Sequence, residues 1–125
     1  IMRQGLTCDT FIMSTNAATE DGQLFNIDGN GNRVAAFCYG PKQVIVVAGM
    51  NKVVPDMDAA YSRVRGYTAP GVVQRFPAAK TPCNVTGLCA DCMSPDSCCC
   101  HFVHTRLCRP AKRIKVVLVG EDLGF

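Results

Sequence analysis

Six cysteines lie within the segment TPCNVTGLCADCMSPDSCCC, residues Thr81–Cys100. Cys89 and Cys92 have the two-residue gap that lets one turn deliver two thiolates to a single centre. Cys83 lies six positions before Cys89, and the run of three cysteines at 98–100 lies six to eight positions after Cys92. Adjacent cysteines are difficult to pair in ordinary disulfides. The spacing therefore predicts a metal site built from thiolates.

The spacing leaves two identities open for the metal. Four soft thiolates select zinc or an iron–sulfur cluster over magnesium or calcium. A four-cysteine zinc site often uses two C-x-x-C pairs, whereas clusters tolerate wider and less regular spacing. This segment has one such pair, which slightly favours a cluster. His101 and His104 are further candidate zinc ligands, although His104 lies in HFVHTRL, which alternates like a strand.

The loop DGNGNR, residues 28–33, is a second candidate site. Its backbone amides, beside the start of a helix, are suited to cradle a phosphate, and Arg33 adds charge. The loop residues expected to contact such a ligand are Gly29, Asn30, Gly31 and Asn32. The alternative is a tight structural turn, which Asn-Gly pairs favour. Lys52 is a further candidate to face a ligand, with a solvated side chain as its alternative.

Composition limits the class of protein. The chain has 125 residues and a formal net charge of +3, which fits one domain, 1–125, and gives no argument for a nucleic-acid partner. No apolar run approaches the length of a membrane span. The count of nine cysteines is odd, which favours a reducing, cytoplasmic setting over a secreted disulfide scaffold. No G-x-G-x-x-G motif follows a strand, so no dinucleotide fingerprint is present.

Strands and helices are expected to alternate around these sites. Strands are predicted at 10–15, 23–28, 43–49 and 113–119, and helices at 33–40, from Met57 onward and again near Pro70. The second strand should form a hairpin with residues before the EDG turn, and Asn32 and Asp56 are predicted helix caps. The β-branched run at 43–49 predicts a central parallel strand covered on both faces, and 113–119 a further buried strand. This pattern predicts an α/β fold with an at least partly parallel sheet.

Four segments together carry a family resemblance: STNAATEDGQLFNIDGNGNRVAAF (14–37), GPKQVIVVAGMNKVVPDMDAAYSRV (40–64), TPCNVTGLCADCMSPDSCC (81–99) and RIKVVLVGEDLGF (113–125). The sequence resembles the LUD-domain, or lactate-utilisation, proteins of the stand-alone type with a cysteine motif. The resemblance implies a ribose-5-phosphate isomerase/CoA-transferase-like α/β sheet with flanking helices, plus an irregular cysteine-rich insert at 81–100. It also implies that this chain is the C-terminal part of a longer domain.

The resemblance assigns candidate residues. The family motif C-x5-C-x2-C-x6-C falls on Cys83, Cys89, Cys92 and Cys99, which implies a [4Fe–4S] cluster. Cys98 and Cys100 are departures from the family pattern and leave the fourth ligand ambiguous. CoA-transferase relatives place a catalytic glutamate in a turn like Glu20-Asp21-Gly22, which makes Glu20 a candidate nucleophile. A solvated turn carboxylate is the alternative for Glu20.

The expected function is redox metabolism of lactate or a related 2-hydroxy acid, with a small-molecule ligand, a redox partner protein and a homo-oligomeric state. One alternative is a structural domain stapled by zinc. The other is a CoA-transferase-like or sugar-phosphate-isomerase-like enzyme that uses Glu20.

Overall fold

A computed structural model describes residues 1–125. Seven strands form two separate sheets, and four short α-helices accompany them. The strands are β1 Thr10–Met13, β2 Ala17–Thr19, β3 Leu24–Asp28, β4 Gln43–Gly49, β5 Val53–Val54, β6 His101–Thr105 and β7 Ile114–Val119. The helices are α1 Asn32–Cys38, α2 Met57–Arg63, α3 Ala69–Val73 and α4 Pro82–Thr86. The predicted α/β class is confirmed.

The first sheet is parallel and has the order β1-β4-β7. Along β4, Val44, Val46 and Ala48 are fully buried, whereas Ile45 and Val47 between them are only partly buried. The buried face packs in one core cluster with Phe37 of α1. The prediction that β4 is covered on both faces is therefore wrong, because one face has a helix against it and the other remains partly open.

Strand β7 is an edge strand, since it pairs only with β4. Its Val116, Val117 and Leu118 side chains are 44%, 47% and 51% exposed. The prediction that this strand is buried is wrong. Valine and leucine fit a pleated surface wherever it lies in a sheet, so an apolar strand does not by itself report burial.

The second sheet is mixed and has the order β5-β2-β3-β6. β2 and β3 form the predicted hairpin around the EDG turn, with Ala17 opposite Phe25. β6 runs antiparallel to β3 and sets His101 opposite Asp28. The chain thus brings the end of the cysteine segment directly beside the start of the 28–33 loop.

One helical run, Met57–Val73, covers the second sheet. It consists of α2, a π-helical turn Val64–Thr68 and α3, and its Ala60, Val64 and Ala69 pack against Phe25 and other sheet residues. Asp56 caps α2 as predicted, because its carboxylate accepts a 2.8 Å bond from the Ala59 amide. The predicted helix near Pro70 is confirmed as α3, which begins at Ala69 with Pro70 in its first turn and continues directly from the π turn.

Candidate functional site

Five of the six clustered cysteines line a single cavity of about 80 Å³, here called the thiol cavity. These residues are Cys83, Cys89, Cys92, Cys98 and Cys99. All four predicted ligands are among them, so the fold brings the motif to one place. Cys100 is not; it is exposed, and its Sγ donates a hydrogen bond to the Ser97 carbonyl.

Local structure positions these thiols. Helix α4 carries Cys83 and ends at Gly87, whose φ of 74° lies in the left-handed region that glycine tolerates. An irregular loop follows and is tied back to the chain: the Ser94 hydroxyl donates to the Lys80 carbonyl at 2.8 Å, and the Cys100 amide donates to the Asp28 carbonyl at 3.1 Å. The loop therefore has fixed ends although it contains no regular structure.

Arg65, on the π turn, forms part of the thiol-cavity wall. Its guanidinium donates to Cys89 Sγ from Nε at 3.3 Å and from Nη2 at 3.2 Å, and it forms a salt bridge with Asp91. It also lies over the rings of Tyr61 and Phe102. Asp91 and then Cys89 raise the pKa of Arg65, so a fixed positive charge lies beside a thiol sulfur.

Cys98 and Cys99 interact with each other and have different surroundings. A hydrogen bond with Cys98, followed by burial, raises the pKa of Cys99, and the same bond lowers the pKa of Cys98. Cys99 also packs against the core cluster that contains Phe25. No three cysteine, histidine, aspartate or glutamate side chains converge closely enough to hold one metal ion. The thiols are distributed around a cavity wall instead of pointing at one centre.

A second cavity of about 820 Å³ shares Ser97 and Cys98 with the thiol cavity, and we call it the basic cavity. Lys52 lies in its wall and is only 6% exposed. Its Nζ donates to the Ser14 hydroxyl at 3.0 Å, and it takes part in neither of the two salt bridges of the chain. Burial lowers the pKa of Lys52, and the nearby charges of Arg63 and Arg33 lower it further.

Arg33 also lies in the wall of the basic cavity, but its terminal nitrogens are already bonded. Nη1 donates to the Ser14 carbonyl and to Asn26 Oδ1, and Nη2 donates to Asn16 Oδ1 and to the Ile27 carbonyl, at 2.7–3.1 Å. Burial lowers the pKa of Arg33, and the Asp28 carboxylate opposes that change. Arg33 therefore fixes the β1–β2 connection to β3 and contributes charge to the cavity.

The four predicted loop residues divide between two roles. Gly29 and Asn30 line the basic cavity. Gly31 packs so closely on the His101 ring that an added Cβ would lie 3.0 Å from Nε2, and Asn32 is the first residue of α1. The prediction that the Asn32 side chain caps α1 is wrong, because Asp28 Oδ2 takes that role and accepts from the amides of Arg33 and Val34.

The remaining candidates lie outside both cavities. Glu20 is exposed in the β2–β3 turn, and its catalytic role stays a prediction. His104 Nε2 lies 2.6 Å from Gln23 Oε1, and neither His104 nor His101 lines the thiol cavity.

Sequence reasoning did not single out Ser14, Asn16, Arg63 or Arg65. Their signals were weak: Arg63 and Arg65 lie in YSRVRGY, which has the pattern of a helix with a solvated charged face. Lys52 was identifiable because it follows β4, near the edge where parallel strands end and ligands bind. The burial of Lys52 could not be predicted from the sequence, because a lysine in a loop is usually exposed.

Comparison with known proteins identifies the family. The LUD domain model matches residues 1–119 of the 125-residue chain. No curated protein and no solved structure matches it. None of its helices combines the length and the apolar character needed to cross a membrane. Because the match spans nearly all of the sequence, the chain belongs to the LUD-domain family, the lactate-utilisation type of protein.

Proposed function

We propose that this protein is a redox component of lactate or 2-hydroxy-acid metabolism that holds an iron–sulfur cluster in the thiol cavity. The observation that carries the proposal is the meeting of Cys83, Cys89, Cys92 and Cys99 around one cavity. Cysteine thiolates are the usual protein ligands of such clusters. All nine cysteines are free thiols, as a protein of the reducing cytoplasm would have them.

The shape of the cavity supports a cluster over a single ion. Its volume of about 80 Å³ is larger than the roughly 10–15 Å³ that a cavity needs to hold one water molecule. Zinc would draw four sulfurs to about 2.3 Å from one point. A [4Fe–4S] cluster has its irons at separate corners, so its thiolates remain spread around a wall, as these are.

The fourth ligand is the one open choice within the motif. Cys98 and Cys99 both line the thiol cavity, whereas Cys100 points away toward the Ser97 carbonyl. The proposal therefore takes Cys99, the motif position, as the fourth ligand, with Cys98 as its neighbour in the wall. Cys100 has no part in the site.

The other wall residues have roles that the proposal explains. Ala69, Pro70 and Val73 give the cavity an apolar side. Arg65 places a positive charge and two donors at Cys89, where ligation puts negative charge. A bound cluster supplies transfer of single electrons. Oxidation of a 2-hydroxy acid removes two electrons and two protons, so the proposal includes an electron-accepting partner protein.

The test is metal analysis of protein purified and reconstituted without oxygen. Iron and acid-labile sulfide in equal amounts, with visible absorption, are expected for the unmodified protein and for Cys8→Ser and Cys100→Ser. Cys83→Ser, Cys89→Ser and Cys92→Ser should each lose most of the iron. Comparison of Cys98→Ser with Cys99→Ser identifies the fourth ligand. Stoichiometric zinc without iron after reconstitution would contradict the proposal in favour of the structural alternative.

A further inference from the structure

We infer that the basic cavity binds an organic acid, with its anionic head at Lys52 and an apolar body against the apolar part of the cavity wall. The inference deepens the proposed function, on which it rests for the reaction but not for the binding. Nothing in the 2-hydroxy-acid assignment specifies this cavity or these residues.

The first step concerns the buried, unpaired charge of Lys52. An ammonium group has three N–H donors, and a buried charge is costly unless it is paired. Lys52 is 6% exposed, gives one hydrogen bond to Ser14, and has no carboxylate partner. Two donors therefore remain for a ligand at the cavity wall. An anion in contact with Nζ would offset the cost of burying this charge.

The second step is the charge around Lys52. Arg33 and Arg63 are near enough to lower its pKa. Both guanidiniums donate hydrogen bonds to protein oxygen atoms. Arg63, for example, donates to the carbonyls of Asn51 and Asn16 and to the Thr68 hydroxyl. The two guanidiniums therefore hold fixed positive charges near Lys52, and these charges favour an anion there.

The acidic residues of the wall are engaged elsewhere. Asp28 Oδ2 accepts from the first amides of α1, as described above. Asp96 Oδ2 accepts from the Lys80 amide at 2.8 Å. Neither carboxylate forms an ion pair with Lys52. The charge of Lys52 is thus left for a ligand.

The third step concerns the size of the cavity and the apolar part of its lining. About 820 Å³ lies within the range of sites that hold drug-sized molecules and is larger than a three-carbon acid requires. Val72, Phe76, Leu123 and Phe125 contribute an apolar part of the lining. The geometry points to an acid with an apolar or aromatic body, its head a carboxylate or a phosphate. Because Cys98 lies in both walls, such a ligand would be a neighbour of the thiol cavity.

Calorimetric titration of the whole protein tests the inference. The probes are phenyllactate, lactate, phenyl phosphate and, as the uncharged analogue, 2-phenylethanol. We expect phenyllactate or phenyl phosphate to bind more tightly than lactate, and 2-phenylethanol to bind at least tenfold more weakly, an order-of-magnitude estimate for a charge-assisted contact. The better of the two anions identifies the head group as carboxylate or phosphate.

Two variants locate the site. Lys52→Met should weaken binding of the better anion by about tenfold or more, and Lys52→Arg should retain part of it. Lys42→Met is the matched control, because Lys42 is exposed and pairs with Asp9. Circular dichroism and iron content of each variant verify folding. Equal binding to Lys52→Met and to the unmodified protein, or no binding of any anion, overturns the inference. Lys52-dependent binding in iron-free protein supports it even if the cluster proposal fails.

Discussion

The guanidinium of Arg65 meets the sulfur of Cys89 with two donors, Nε at 3.3 Å and Nη2 at 3.2 Å. The side chain of Arg65 is 16% exposed, and its Nη2 also forms the salt bridge with Asp91, whose side chain is 88% exposed. A helix of the scaffold is thereby connected to the irregular cysteine loop at a predicted ligand. Hydrogen bonds and charge at ligand sulfurs are among the factors that set cluster potentials.

The first prediction concerns this contact. In the iron-loaded protein, Arg65→Met should shift the midpoint potential to a more negative value, because a positive charge and two donors stabilise the more negative, reduced state. The shift should be on the order of 60 mV or less, since 59 mV is a tenfold effect for one electron. Redox titration followed by visible absorption gives the value.

Arg75→Met is the control for that experiment, because Arg75 lies over the Phe125 ring and does not line the thiol cavity. In iron-free protein, Arg65→Met should also speed proteolytic cleavage within 88–100, since one anchor of the loop is lost. A potential that is unchanged in Arg65→Met would show that the contact has no electronic role.

The second prediction concerns the end of α1. Arg113 donates to the carbonyls of Phe37, Ala36 and Pro41 at 2.7, 3.0 and 2.9 Å, so it satisfies the last carbonyl groups of that helix. Arg113→Met should lower the free energy of unfolding by about 2 kcal/mol, the range for hydrogen bonds to a charged group. Urea unfolding measures this. Arg109→Met, at an exposed position outside these bonds, should change stability by less than about 0.5 kcal/mol.

Much of the fold was predictable from local pattern. The β4 strand, the β2–β3 hairpin and the Asp56 cap each follow from a few neighbouring residues. The exposure of β7 could not be predicted, because burial depends on the order of strands in the sheet, and the sequence pattern does not show which strand lies at the edge. The π turn that joins α2 to α3 was not predicted either, because it has no clear sequence signal.

The candidate site divides in the same way. The cysteine motif was readable because its ligands lie within one short segment. The basic cavity was not, because Ser14, Lys52 and Phe125 come from distant parts of the chain and meet only in the fold. The capping role of Asp28 was missed because Asn32 is the closer residue with a good capping side chain.

The third prediction uses that cap. Asp28→Ala should destabilise the protein by about 1 kcal/mol, the usual cost of losing a cap. It should also strengthen binding of the anion found in the basic cavity, because the Asp28 carboxylate belongs to the wall of that cavity and its loss removes a like charge. Asp56→Ala removes the matching cap of α2, outside the cavity, at a similar cost in stability. If both variants change anion affinity equally, the loop has no specific role in the cavity.

The fourth prediction follows from the lowered pKa of Lys52, which burial, Arg63 and Arg33 cause. Between that value and the pKa of about 10.4 in the unfolded chain, the unfolded state binds more protons than the folded one. The contribution of Lys52 to stability therefore rises with pH across this window, by at most about 1.4 kcal/mol per pH unit. Anion affinity should fall across the same range, because the ammonium loses its proton.

Urea unfolding from pH 7 to pH 10.5 measures the stability difference between the unmodified protein and Lys52→Met. All other ionisable side chains are common to both proteins, so their effects cancel in the difference. Lys42→Met serves as the comparison: the ion pair with Asp9 raises the pKa of Lys42, so its effect on the pH slope lies above about 10.4, and its difference from the unmodified protein should stay flat up to about pH 10.5. A difference between the unmodified protein and Lys52→Met that stays flat over the whole range would mean that Lys52 is solvated in solution, and its unpaired charge would then give no reason for an anion to bind.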